Sequence, residues 1–453
     1  MSRGDPGARR DGAGPARASR EEIVAIDKRR VWHPYTEMGR YRAEVDPLVV
    51  VEAQGSRLRD ADGRSYLDGN ASWWSSLLGH GHPRLVRALA RQSETLCHAA
   101  LAGIAHEPAA LLAEELCRVA PPGLEHVFFG DDGSTAVEIA MKLCLQYWAQ
   151  NGARERNRLA ALEGAFHGET LGATALGGVE LFRRPFAPVL APVVHLPPPR
   201  EPGAAAEQCF ERLTRCFREQ GERLAALVLE PVVQGAAGMY FYDPEYLRLA
   251  RRLCDEYAVF LVFDEVFSGY GRTGPMWAAE HAGVSPDLLC LAKGFTGGML
   301  PMSATLVGTR LFEGFLGSPE RAFYYGHTFC GNPLGAAVAR EVLRIFEQEK
   351  ILELARPKAA RIAECFAELG RLPGVSRARS LGMIGALDLA GPDGYLAGAG
   401  WRVYERARAR GAYLRPLGNV VYVTPSLNIP DADLAELLAI VSESVAEVAA
   451  GAA

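Results

Sequence analysis

Several apolar runs in this chain end abruptly in a charged or glycine-rich turn. Val259-Phe260-Leu261-Val262-Phe263 runs straight into Asp264 and Glu265. Leu288-Leu289-Cys290-Leu291-Ala292 runs into Lys293, Ala226-Leu227-Val228-Leu229 into Glu230, and Leu159-Ala160-Ala161-Leu162 into Glu163. Runs without polar alternation predict strands buried on both faces of a parallel sheet. Between them, helical spacing of apolar residues predicts helices over about Ser134–Gln150, Ala206–Gln220 and Pro244–Tyr257, with others at about Pro83–Glu94, Glu107–Ala120 and Asn332–Gln348. Strands alternating with helices predict an α/β fold with a mostly parallel central sheet and right-handed crossovers.

The ends of the chain read differently. Residues 1–20 are rich in Gly, Ala, Arg and Pro and predict a disordered tail, with order from about Glu21. Residues 21–70 carry an extended Trp32-His33-Pro34-Tyr35-Thr36 segment and two short strands, and are expected to belong to a smaller α+β domain. Residues 71–344 are expected to form the large domain, and 345–453 the C-terminal part of the smaller one. The proline-rich stretch 187–205 is expected to be a surface connection. A helix over Tyr395–Arg410 and a last helix from Asp431 are expected near the end.

Composition narrows the function classes. In 453 residues the net charge is −5, which offers no basis for a nucleic-acid or membrane partner. Nine scattered cysteines without a CxxC pair read as thiols in a reducing, cytoplasmic compartment. His80-Gly81-His82-Pro83 lacks supporting Cys or carboxylate ligands and reads as a turn before a helix, so no metal is expected.

The candidate chemistry sits where strands end, the edge at which open α/β sheets bind ligands. A buried lysine loses its proton readily, which suits Lys293 to Schiff-base chemistry. A buried carboxylate such as Asp264 can hold a pyridinium nitrogen protonated. Together they suggest pyridoxal phosphate. Alone, Asp264 could cap a turn and Lys293 could be a solvated loop residue; the pairing favours the site. Val127-Phe128-Phe129 followed by Gly130-Asp131-Asp132-Gly133-Ser134 is strand, glycine-rich turn and helix start, a phosphate-binding arrangement but neither a Walker A nor a GxGxxG motif. Trp73 and Trp74 must point in different directions, so one is expected in the core and one at the surface, or against a pocket.

Phe263-Asp264-Glu265-Val266, Gly269-Tyr270-Gly271-Arg272-Thr273-Gly274 and Ala292-Lys293-Gly294 resemble the motif block of the class III (omega) aminotransferases, of pyridoxal phosphate fold type I. The resemblance runs from about Val31 onward. It implies that Lys293 carries the cofactor and shuttles a proton, and that Asp264 partners its ring nitrogen. It also implies that Gly133 and Ser134 cradle its phosphate, with His327 and Thr328 as a second phosphate contact from a neighbouring subunit, hence a homodimer with shared active sites. Tyr35, Trp73, Phe166, Gly326 and Arg415 correspond to substrate contacts. Within the class, His33-Pro34-Tyr35-Thr36, Ser72-Trp73-Trp74, Gly326-His327-Thr328 and Arg415-Pro416 resemble the enzymes of biotin synthesis that aminate 8-amino-7-oxononanoate, with S-adenosylmethionine or lysine as donor. Phe166 stands where that group often has Tyr, Glu169 where Asp is common, and His327 where its best-known form has Pro. A pyruvate- or ornithine-type aminotransferase, or a non-catalytic binding protein on the same fold, are the alternatives.

Overall fold

A computed structural model describes residues 18–200, 203–391 and 394–451. Residues 1–17 of the expected tail lie outside that set. The tail's last residues are ordered: Ser19 caps the helix Arg20–Arg30 through a capping box with Glu22.

A seven-stranded sheet forms the centre. Its order is Leu124–Gly130, Ser303–Gly308, Leu288–Leu291, Phe260–Asp264, Leu224–Leu229, Arg158–Leu162 and Val193–Leu196. Only Ser303–Gly308 runs antiparallel to its two neighbours; the other pairings are parallel. The apolar runs are buried on both faces, as their lack of alternation predicts. Leu227, Leu229, Leu261 and Phe263 enter one core. Their neighbours Ala226, Val228, Phe260 and Val262 point into a second core, shared with the helix Gly133–Gln150.

The segment 187–205 departs from expectation. It contains the strand Val193–Leu196, which adds to the sheet parallel to Arg158–Leu162. The strand is only four residues long and proline-bounded, and it lies at the sheet edge, where a residue without an N–H donor is tolerated. Its short apolar signal is therefore masked by the prolines around it. The helix expected from Tyr395 begins later, at Ala399.

Two smaller sheets flank this core. Val375–Leu381, Ile384–Leu389 and Val420–Val423 form an antiparallel sheet, packed on the helix Ile351–Leu369. The N-terminal strands Val50–Gln54, Arg57–Asp60 and Ser65–Asp68 share a second sheet with Ala412–Tyr413, so the two ends of the chain are joined through backbone pairing. Arg272 ties the large sheet to these elements. Its guanidinium is fully buried and donates to the carbonyls of Pro425 at 2.8 Å and Met383 at 3.3 Å. Burial pulls its pKa down to about 9.

Candidate active site

The register of the central strands sets the site. Asp264 pairs with Cys290, so Asp264 and Lys293 leave the same sheet edge side by side. Lys293 opens a short 3-10 turn, Lys293–Thr296, with φ of 50°, a left-handed conformation that is strained for a side chain of this size. Its ammonium nitrogen lies 4.5 Å from the ring centroid of buried Trp74. Burial lowers the Lys293 pKa to about 8, opposed by the negative charges of Asp264 and Glu230. The amine therefore changes charge near neutrality, as a nucleophile and proton shuttle must.

Asp264 is 5% exposed. One oxygen lies 2.8 Å from Nδ1 of His167, and the other accepts the Val266 amide at 3.1 Å. Burial would depress the His167 pKa, but the bond to Asp264 more than reverses this and leaves it raised. The His167 ring is thereby fixed against the buried carboxylate, and each compensates part of the other's loss of hydration. Glu230 ends the neighbouring strand. Burial pushes its pKa up to about 7, although it accepts the amides of Phe166 at 3.0 Å and Gly235 at 2.9 Å.

On the opposite wall, Asp132 caps the helix Gly133–Gln150 by accepting the Thr135 amide at 2.9 Å. The 18-residue helix directs its positive end at the cavity. Gly168 crosses this turn so closely, at φ of 120°, that a Cβ on it would sit 2.6 Å from the Ser134 Cα. Glycine is needed there because the loop 166–169 packs directly on the cradle. The cavity, about 370 Å³, is lined by Lys293, Asp264, Gly133, Ser134 and Phe166 among others. Those five sequence candidates are thereby brought together.

Tyr35, Trp73 and Arg415 form a second group beside the cavity. The Tyr35 and Trp73 rings meet edge-on at 5.5 Å, and the Arg415 guanidinium lies 4.6 Å over Trp73. Ala71, Ser72, Trp73 and Trp74 all have positive φ. This left-handed turn directs Trp74 into the core, 5% exposed, and leaves Trp73 36% exposed beside Arg415. Of the two adjacent tryptophans, one is core and one is not, and the core one also reaches Lys293. Gly326, His327 and Thr328 do not line the cavity within one chain. His327 instead lies 2.9 Å from Asp131 of the phosphate turn.

Sequence reasoning missed His167 and Glu230. Both had a signal: His167 sits inside the singled-out Phe166–Gly168 loop, and Glu230 ends an apolar run as Asp264 does. It also missed the hydrogen bond of 2.7 Å from the Tyr35 hydroxyl to Glu169, and Phe182, whose ring lies 5.3 Å from Tyr35 and 5.1 Å from Tyr395.

The lowered pKa has a direct consequence. In cofactor-free protein, acetylation of Lys293 by brief pulses of acetic anhydride should rise with pH and level off above about pH 8. An exposed lysine continues to gain reactivity up to its usual pKa, about 10.4. Peptide mass spectrometry reads the profile, and an inflection near that of the exposed lysines would contradict a desolvated amine.

The Aminotransferase class-III family profile matches residues 40–445. The chain is 41% identical over 443 residues to the adenosylmethionine-8-amino-7-oxononanoate aminotransferase of Nitratidesulfovibrio vulgaris, covering 94% of this chain and 82% of that one. It superimposes with a TM-score of 0.91 and 34% identity on the crystal structure of the enzyme of the same name from Methanocaldococcus jannaschii, covering 95% and 99% of the two chains. It matches an (S)-enantioselective omega-transaminase from Thermomicrobium roseum with the same TM-score, at 29% identity, over 95% and 99%.

The residues present fit pyridoxal phosphate. A desolvated amine and a carboxylate held by His167 face one cavity, and a helix start is cradled by a glycine crossing. The Ser268 hydroxyl and His167 Nε2 are buried there without partners. The chain belongs to the class III aminotransferases, and it is a pyridoxal phosphate-dependent enzyme.

Proposed function

We propose that this chain transfers an amino group to the ketone of 8-amino-7-oxononanoate, giving 7,8-diaminononanoate in biotin synthesis, with S-adenosylmethionine as donor and lysine as the alternative. The observation that carries the substrate class is Arg415 stacked on Trp73 beside the cavity. A planar cation at a distance from the reacting lysine, with aromatic walls between, suits an acceptor that has a carboxylate at one end and a ketone at the other. The names of the relatives support the same substrate.

When bound, the cofactor supplies an electron sink and carries the amino group between donor and acceptor. The chain's own residues do the rest. Lys293 would hold the cofactor covalently, and its amine would move the proton at the reacting carbon. Asp264, positioned by His167, would hold the ring nitrogen. Gly133 and Ser134 hold the phosphate through the helix start, with His327 and Thr328 of a second copy as the further contact. Phe166 packs at the cavity wall and supplies no hydroxyl. Tyr35, Trp73 and Gly326 orient the acceptor whose carboxylate Arg415 reads. Cytoplasmic placement belongs to the same proposal, supported by nine cysteines that form no disulfide.

The test is a half-reaction. The purified holoenzyme is mixed with S-adenosylmethionine, lysine, ornithine or alanine in turn, and the visible absorbance of the cofactor is followed. Bleaching by S-adenosylmethionine or lysine, with colour restored by 8-amino-7-oxononanoate, is expected. Bleaching by ornithine or alanine alone would reassign the substrate.

A homodimer is expected to be the active form. Light scattering should give twice the chain mass of 49.0 kDa, and Thr328→Ala should weaken cofactor retention. A fully active monomer would remove the shared site.

A further inference from the structure

Asp131, His327 and Cys330 come together next to the phosphate turn. Their ligand atoms all lie within 4.8 Å of one another, and all three residues are partly buried. His327 Nδ1 is 2.9 Å from an Asp131 carboxylate oxygen, while Nε2 is 3.1 Å from the Tyr325 hydroxyl. The His327 amide donates to the Cys330 sulfur at 3.1 Å, which holds the thiol on the same side of the loop as the imidazole.

The His327–Asp131 contact is close but is not a well-formed hydrogen bond, since Nδ1 is buried with no aligned partner. If Nε2–H donates to the Tyr325 oxygen, Nδ1 presents a lone pair to a carboxylate. In that tautomer the two acceptors are bridged by a positive charge, which is either the proton of an imidazolium or a metal ion that the nearby Cys330 sulfur also reaches. Metal-bound histidines show this arrangement, with the second ring nitrogen fixed by an outer hydrogen bond. Sulfur, imidazole and carboxylate together select zinc-class ions over magnesium or calcium.

We propose that Asp131, His327 and Cys330 bind one zinc-class divalent cation, with water as the fourth ligand, and that the ion staples the segment 326–331 to the turn that opens the helix Gly133–Gln150. The site borders the cofactor cavity, which Asp131 also lines, and does not depend on the substrate. It lies within one chain: the His327 ring is turned to Asp131, which leaves the His327 backbone and the Thr328 side chain for the proposed contact with a second copy. The sequence predicts no metal because its one histidine pair, His80 and His82, lacks supporting ligands, whereas Asp131 lies far along the chain from His327 and Cys330.

The test uses holoenzyme freed of excess cofactor and metal. Equilibrium dialysis against Zn²⁺ should give one ion per chain. X-ray absorption should show one sulfur at about 2.3 Å and nitrogen or oxygen ligands at about 2.0–2.2 Å. Cys330→Ser should lose the sulfur signal and weaken binding at least tenfold, while its circular dichroism and cofactor absorbance match the parent. Zn²⁺ should raise the melting temperature of the parent and not of this variant. Absence of stoichiometric binding, an ion without sulfur ligation, or equal binding by Cys330→Ser would each overturn the site.

Discussion

Lys293→Ala should lose turnover by about 10²–10⁴-fold from proton transfer alone, and further through loss of covalent attachment. The lysine is buried at the end of a central strand, with a pKa of about 8 and a left-handed backbone. No other residue lining the cavity, among the described residues, offers an amine. Lys358 is also buried, but its ammonium donates to the Leu354 carbonyl within its own helix. Borohydride trapping followed by peptide mapping should place the cofactor on Lys293. Attachment to another lysine would defeat the assignment. Because the phosphate cradle is untouched, Lys293→Ala should still retain some cofactor, and a small exogenous amine should restore part of the proton transfer. A variant that neither binds cofactor nor keeps its circular dichroism would report on folding, so both are measured alongside turnover.

Arg415→Ala should cost about 2–4 kcal/mol in transition-state binding of the carboxylate-bearing acceptor, a loss of roughly 30- to 900-fold in kcat/KM. The Arg415 amide donates to the Asn70 side chain at 2.7 Å, its guanidinium stacks on Trp73, and its side chain bonds to the Tyr395 hydroxyl. None of these partners is a carboxylate, so the guanidinium retains its charge for a ligand. A chain-matched acceptor without the carboxylate should be much less affected. Equal losses for both acceptors would mean that Arg415 supports the fold and does not read the substrate.

The apolar runs made the central sheet legible because their burial leaves no polar alternation, and the same runs located Asp264 and Lys293 at one edge. The strand Val193–Leu196 was not legible, because prolines hide an edge strand. Fold likeness does not separate substrates either: an omega-transaminase and an oxononanoate aminotransferase superimpose equally well on this chain, at a TM-score of 0.91. The substrate reading rests on side chains such as Arg415.

By itself the sequence determined the sheet-forming runs, the lysine–aspartate pair and the class of chemistry, since these depend on local pattern and residue type. Tertiary structure decided which side chains meet. It folded Ala71–Trp74 into a left-handed turn that separates the two tryptophans, a conformation that local propensity disfavours and only surrounding packing sustains. It set His167 against Asp264, and Asp131 against His327 and Cys330. Such contacts join residues distant along the chain, and their geometry follows from how strands and helices pack rather than from any spacing in the sequence.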